Sequence, residues 1–222
     1  MLRVKNILIA AGLLAGTLSS FAADEYSVSP FSWGVGAGWD INIPSGSSAH
    51  WDTGSGATLT GWGAMALSNK AFVASALDVF YRTMGTNWIT GADEALVEGT
   101  VKNVGLRVPL LAGLNLPLSQ SVEIDLATGP QIEVNLMARH YPDPVPDVLS
   151  RNPDNGSVNM FHNGFRRVSG SWRLALGFTF STHYYVGIDS SVGFTPLASF
   201  GNRDNKIRIR GNTVAVKLCY KF

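Results

Sequence analysis

The chain has 222 residues, 17 Lys plus Arg against 16 Asp plus Glu, and a net charge of +1. So balanced a charge leaves no electrostatic footprint for nucleic acid. Only 15% of residues are charged, against about 25% in an ordinary soluble domain. The sole cysteine, Cys219, cannot form an internal disulfide, so none staples the fold.

The N-terminus reads as a secretory signal peptide. Arg3 and Lys5 precede an apolar run from Ile7 to Leu18, and Ser20-Phe21-Ala22 offers small residues for cleavage after Ala22, or else after Ala23. Removing residues 1–22 leaves 15 basic against 16 acidic residues, a net charge of −1. Residues 23–222 then form one β domain. No cysteine stands at the cleavage point to carry a lipid anchor. No later segment has the roughly 18 consecutive apolar residues of a membrane helix.

Beyond the leader the chain alternates with period two. Phe31–Ile43 is the first expected strand, with Phe31, Trp33, Val35, Trp39, Ile41 and Ile43 on one face and mostly Gly, Asp and Asn on the other. Residues 44–56 form a loop rich in turn formers. Ala57–Leu67 alternates more weakly. After the turn Ser68-Asn69-Lys70, Ala71–Thr83 sets Val73, Leu77, Val79 and Tyr81 against Asp78 and Arg82.

A loop over residues 84–100 leads to Val101–Leu116, and a turn over 117–121 leads to the clearest strand of all. In Val122–Arg139 every second residue from Val122 is apolar apart from Thr128, and the opposite face holds Glu123, Asp125, Gln131, Glu133, Asn135 and Arg139. This run is far longer than the about 5–6 residues of a typical soluble strand and exceeds the roughly 9–11 needed to cross a bilayer. The longest expected loop covers residues 140–165. Arg166–Ser181, the turn Thr182-His183, Tyr184–Thr195, a loop over 196–206 and Ile207–Phe222 complete eight strands.

Long and short connections alternate along this series. That rhythm is the pattern of an all-β, eight-stranded antiparallel up-and-down transmembrane β-barrel, with short periplasmic turns and long extracellular loops. Size decides which face meets lipid. An eight-stranded interior is just wide enough for side chains to fill it, too narrow for Trp33, Trp39, Trp172, Phe178, Phe180, Phe194 and the leucines together. The apolar face therefore points outward. Phe31, Phe180, Tyr184, Tyr220 and Phe222 are expected at the periplasmic edge, and Trp39, Tyr81 and Phe194 at the outer one.

The inward charges are then Arg107, Glu123, Asp125, Glu133, Arg139, Arg167, Arg173, Asp189 and Lys217. Buried charge must be paired and hydrogen-bonded, so they are expected to form a cross-strand network that plugs the lumen. Arg107 should meet carboxylates of the fifth strand, and Arg173 should meet Asp189.

The last strand ends Val214-x-Val216-x-Leu218-x-Tyr220-x-Phe222 and resembles the signal by which outer-membrane barrels are recognised for assembly. The run Val104–Leu136 resembles the PorT-like outer-membrane β-barrel domain family through Val108-Pro109-Leu110 and Gly129-Pro130. The resemblance implies an outer-membrane location and an eight-stranded barrel, and it carries over no catalytic residue.

Chemistry-bearing patterns are sparse. The histidines are His50, His140, His162 and His183. Ser181-x-His183 is too short a pattern to mark a nucleophile and base. His140, Asp143, Asp147, Asp154 and His162 could stand at a barrel mouth, but a solvated proline-rich loop explains them better. There is no metal-ligand spacing, phosphate loop or redox motif, so no cofactor and no catalytic residue is expected. The sequence favours a non-enzymatic outer-membrane barrel, monomeric, in contact with membrane lipid, lipopolysaccharide and the barrel-assembly machinery. It would be structural or bind through its extracellular loops to a ligand the sequence does not identify. A narrow channel and a lipid A-modifying enzyme are the alternatives.

Overall fold

A computed structural model of the chain describes residues 31–46, 51–90, 95–143, 157–200 and 207–222. The expected signal peptide and its cleavage sites lie outside these residues, as do His50, Asp147 and Asp154. Eight long strands carry the fold: β1 (Phe31–Gly46), β2 (Gly54–Ala66), β3 (Ala71–Thr90), β4 (Ala95–Ser119), β5 (Val122–Pro142), β6 (Val168–Phe180), β7 (Tyr184–Gly193) and β8 (Ile207–Lys221). Each pairs antiparallel with the next. β1 also pairs with β8, from Gly34 opposite Lys221 to Gly46 opposite Ile209, which closes the ring. Closure removes every free strand edge, the condition for placing a sheet in lipid.

The outer surface is apolar around the whole ring. Leu59, at the centre of β2, is 65% exposed, and Trp39, Leu110, Ile132, Trp172, Ile188 and Leu218 all face out. Phe178, Phe180 and Phe194, expected outside on grounds of size, are exposed as well. The fold is thus the transmembrane barrel that the alternation indicates. At the short-turn end Phe222 stacks on Trp33 at 4.1 Å across the β1–β8 seam, and Tyr220 sits edge-on to Tyr184 at 5.5 Å. An aromatic cluster therefore marks that rim, as interfacial girdles do.

The strands run further than the alternation suggests. Residues 84–90 and 95–100, expected as loop, continue the β3–β4 ladder, with Met84 opposite Val101 and Thr86 opposite Gly99. Residues 140–142 continue β5. The reason is a change in what the inner face holds. Beyond the charged middle of the barrel, Met84, Val101, Ala138 and Ile209 point inward and are buried. They pack with Met160, Phe165, Leu197 and Ala198 into an apolar core. Those last residues arrive on the outer connections. Val158–Asn159 pairs back onto Arg139 and His140, and a single 3-10 turn comes next at Met160–Asn163. Asn159 caps it by accepting from the Phe161 amide, and Gly164 ends it with φ 87°. Leu197 is held by its amide to the Ile209 carbonyl at 2.7 Å.

Two prolines interrupt the wall. Pro109 has no N–H to donate, and the β3–β4 ladder skips from Ser75–Leu110 to Asp78–Arg107 beside it. The β4–β5 ladder likewise skips from Pro109–Gln131 to Ala112–Thr128, past Pro130. The Ser75 hydroxyl donates to the Pro109 carbonyl at 2.8 Å, a side-chain bond in the gap of the ladder.

The turn between β6 and β7 holds two non-glycine residues in left-handed backbone, Ser181 at φ 48° and Thr182 at φ 64°. For a β-branched residue that conformation is strained. Thr182→Gly is expected to stabilise the barrel by about 1 kcal/mol, read as a higher urea midpoint for unfolding from lipid vesicles. On the outer wall, Leu59→Arg would place a charge against hydrocarbon and cost about 2–4 kcal/mol in the same assay. A solvent-exposed position would tolerate that change within about 0.5 kcal/mol.

Candidate functional site

The lumen is the only place in the described residues where charged groups concentrate away from solvent. Period two and the short-turn register bring one or more polar side chains inward from every strand. They form two transverse layers. In the outer layer Arg107 of β4 reaches across to Asp40 of β1 at 2.7 Å and to Glu133 of β5 at 3.3 Å. Arg82 of β3 meets Glu133 at 2.5 Å. In the second layer, nearer the short turns, Arg173 of β6 bonds Asp78 of β3 at 2.9 Å and also Asp189 of β7. Lys217 of β8 lies 2.9 Å from Asp78 and 3.3 Å from Asp189. All eight of these charged groups are buried.

Each layer contains two acids and two bases, so each is neutral. Neutral polar groups complete them. Thr58 donates to Asp40 at 2.7 Å, Asn103 donates to Asn135 at 2.6 Å, and Gln131 accepts from Arg173 at 3.3 Å. The Phe80 ring lies in the lumen under both outer-layer guanidinium groups, 4.1 Å from Arg107 and 4.9 Å from Arg82. This ring fits because it faces Gly105, where a Cβ would come within 2.6 Å of it. Trp62 faces Gly34 in the same way, and a Cβ there would come within 2.7 Å of the indole nitrogen. The sulfur of Cys219 packs over Gly36 as small lumen filler.

Five of the nine charges singled out in the sequence lie in these layers: Arg107, Glu133, Arg173, Asp189 and Lys217. Arg107 sits opposite Glu133 in the β4–β5 register, and Arg173 meets Asp189 across the β6–β7 pair. The other four do not belong to the plug. Asp125 accepts from the Thr179 hydroxyl nearer the short turns. Glu123 is half-buried near the same end, opposite Pro117 and Thr179. Arg139 lies at the outer end of β5 and donates to Ser157 at 3.0 Å. Arg167 is exposed, because β6 begins only at Val168, and its guanidinium stacks 4.2 Å over the Phe161 ring. Conversely, Asp40, Asp78 and Arg82 were not among the nine. Their signal was present, since each lies on the polar face of its strand, and β1 and β3 must supply partners for charges arriving from the far wall.

Val216, Leu218, Tyr220 and Phe222 of the C-terminal pattern face outward, and Val214 is half-buried on the same face. His183 sits in the β6–β7 turn, where its Nδ1 lies 2.7 Å from the Ser181 carbonyl oxygen and 3.0 Å from the Thr182 hydroxyl. The ring therefore organises the turn. His140 is buried at the outer end, and His162 belongs to the 3-10 turn. Among the described residues no three His, Cys, Asp or Glu side chains gather to hold a metal ion.

No protein-family model and no curated protein matches the chain. Solved structures do. The outer membrane protein OprG from Pseudomonas aeruginosa is 14% identical over 86% of this chain and 95% of its own, with a TM-score of 0.50. The attachment invasion locus protein Ail of Yersinia pestis is 11% identical over 87% and 100% of the two chains, with a TM-score of 0.42. Neisserial surface protein A is 10% identical over 87% and 98%, with a TM-score of 0.43. At 14% identity the likeness to OprG is one of fold, an outer-membrane barrel.

Breaking a buried pair costs more than the pair itself is worth, because the partner is left charged and alone. Asp78→Asn removes one of two carboxylates serving Arg173 and Lys217. It is expected to destabilise the barrel by about 3–5 kcal/mol in urea unfolding. Glu123→Gln, outside both layers, is expected to change the same midpoint by less than about 0.5 kcal/mol.

Proposed function

We propose that this protein is a non-enzymatic, non-conducting barrel of the bacterial outer membrane that holds its outer loops in place at the cell surface. The observation that carries this reading is the pair of neutral ion-pair layers spanning the lumen, backed on the outer side by an apolar core. An ion crossing the barrel would have to break salt bridges anchored on opposite walls and then pass Met84, Val101 and Leu197. The layers have a structural role here: they tie opposite walls together and close the bore.

The remaining elements of the reading rest on general rules. Short turns are periplasmic in such barrels and long connections extracellular. Residues 1–22 would direct export, and the outward C-terminal pattern ending at Phe222 would be read by the assembly machinery. Lipid and lipopolysaccharide would cover the belt of Leu59, Trp172 and Leu218, with the barrel as a monomer. The PorT-like affiliation rests on the sequence resemblance through Val108-Pro109-Leu110 and Gly129-Pro130. Binding function tends to sit on loops carried by a rigid scaffold. Here the 3-10 turn and Phe161 are anchored on the apolar core and form a stable base for such loops.

The purified protein in planar bilayers is expected to show no stepwise conductance. Mass spectrometry of lipid A from cells with and without expression is expected to show the same species. Discrete channels would favour the narrow-pore reading, and a lost or gained acyl chain would favour a lipid A-modifying enzyme.

A further inference from the structure

Two regions outside the ion-pair layers carry polar groups that the plug does not use. One is a cavity of about 370 Å³ between the inner layer and the short turns, walled by Ala64, Ala74, Ala127 and Ala175. Its lining holds both signs of charge, Asp125 and Asp189 with Arg173, Lys217 and Lys221, so it selects no ligand. The other is the outer end of β8. Leu218, Val216 and Val214 follow the outward belt, Asn212 comes next, and Arg210 and Arg208 project beyond it, both exposed. Asn212 stands opposite Ile43 of β1, and Arg210 opposite Ser45. Among the described residues neither guanidinium has a hydrogen-bond or ion-pair partner. No acid offsets them nearby. β1, β7, residues 194–200 and β8 hold two acids, Asp40 and Asp189, and both are buried in the lumen. Residues 201–206, outside the described ones, add two bases and one acid. The β4–β5 wall shows the same order. Lys102 stands opposite Arg139 just past Val104 and Met137, and the acids Glu98 and Asp143 come four residues further out.

We propose that Arg208 and Arg210 bind a phosphate group carried by a lipid of the outer leaflet, as in lipopolysaccharide, whose acyl chains lie on the adjoining belt. Alternate residues of a strand share a face and stand about 7 Å apart, so the two guanidinium groups repel each other unless an anion sits between them. Their planar forks match the oxygens of a phosphate, each able to give it two parallel hydrogen bonds. Ser45 adds a third group. Its Oγ accepts from the Asn212 side chain at 2.9 Å and has its own proton to donate to the same anion. Position selects a lipid over a free anion. Trp39, Ile41 and Ile43 of β1 and Val214 and Val216 of β8 form the outward wall directly on the membrane side of the two arginines. A phosphate held at Arg210 therefore has an apolar surface beneath it for the chains of its own molecule. The proposal deepens the reading of this protein as an outer-membrane barrel with extracellular long connections, and rests on it.

Native mass spectrometry of the barrel in non-ionic detergent tests it, with bisphosphorylated lipid A as the probe and dephosphorylated lipid A and inorganic phosphate as comparison ligands. The expected result is saturable binding of the phosphorylated lipid. Removing its phosphates, or replacing both arginines in an Arg208→Gln, Arg210→Gln double variant, is expected to weaken binding about tenfold or more, the size of one charge-assisted hydrogen bond. Lys70→Gln, in the turn between β2 and β3 at the other end, is expected to leave it unchanged. The proposal is overturned if dephosphorylated lipid A binds as tightly, if the folded double variant binds like the parent, or if inorganic phosphate binds as tightly as the lipid, which would make this a site for the free anion. Should the double variant not fold, Arg208→Gln alone decides, with a loss of about threefold or more expected. Labelling of Glu98→Cys on intact cells by a membrane-impermeant maleimide, above the parent's background, checks the extracellular assignment separately. If Glu98→Cys stays unlabelled, that reading and the proposal fall together. If it is labelled and lipid binding shows no phosphate dependence, the proposal falls alone.

Discussion

A charge placed inside a narrow closed barrel has nowhere to go but to another charge. That constraint organises this protein. Strand alternation sends one face outward into an apolar belt, so the charged side chains of the membrane-spanning strands are committed to the lumen. Once there, Asp40, Asp78, Glu133 and Asp189 are paired with Arg82, Arg107, Arg173 and Lys217. The bonds that result run across the bore, from β4 to β1 and from β6 and β8 to β3. Hydrogen bonds between neighbouring strands hold the wall, while these transverse pairs tie its opposite sides together.

The lumen changes character along its axis, and each zone is set by the residues that point into it. Alanines leave a cavity near the short turns. Charges with Phe80 and its facing Gly105 fill the middle. Met84, Val101, Ala138 and Ile209 make the outer end a small apolar core, covered by Met160, Phe165 and Leu197. In that last zone the protein behaves as a soluble one does, with apolar side chains inside. The extended β3–β4 hairpin and the 3-10 turn belong to this zone, beyond the lipid belt. Pro109 and Pro130 lie at the level of the wall where the ladder is interrupted, close to the alanine-lined cavity. The β3–β4 and β4–β5 ladders thus carry short local gaps, and the Ser75 hydroxyl bonds the Pro109 carbonyl within one of them.

Much of the fold was legible in the sequence. Ring closure, the eight strands and the outward face come from alternation, from the alternating connection lengths and from the volume of the aromatics. The Arg107–Glu133 and Arg173–Asp189 contacts could be expected because they lie on adjacent strands. Contacts across the bore could not, since Asp78 and Arg173 are related by ring geometry and not by neighbouring register. Arg139 and Arg167 fall outside the plug because the polar face is lumen only within the lipid belt; beyond it, that face meets the loops. The buried outer core was hidden for the same reason: Met84 and Val101 keep the period of two but reverse the chemistry of the inner face.

The ion-pair layers, the cavity and the outer core all require that the apolar face of the strands be the outer one. The most direct measurement is gel migration of the mature protein refolded in detergent, with and without boiling, alongside its circular dichroism. An outward apolar face predicts a β-type spectrum and a compact, faster-migrating unboiled band that slows on heating, as for a barrel that detergent keeps folded. A protein that stays soluble and monomeric without detergent would contradict it. The apolar face would then line an interior, and the ion-pair layers could not be where the structure puts them.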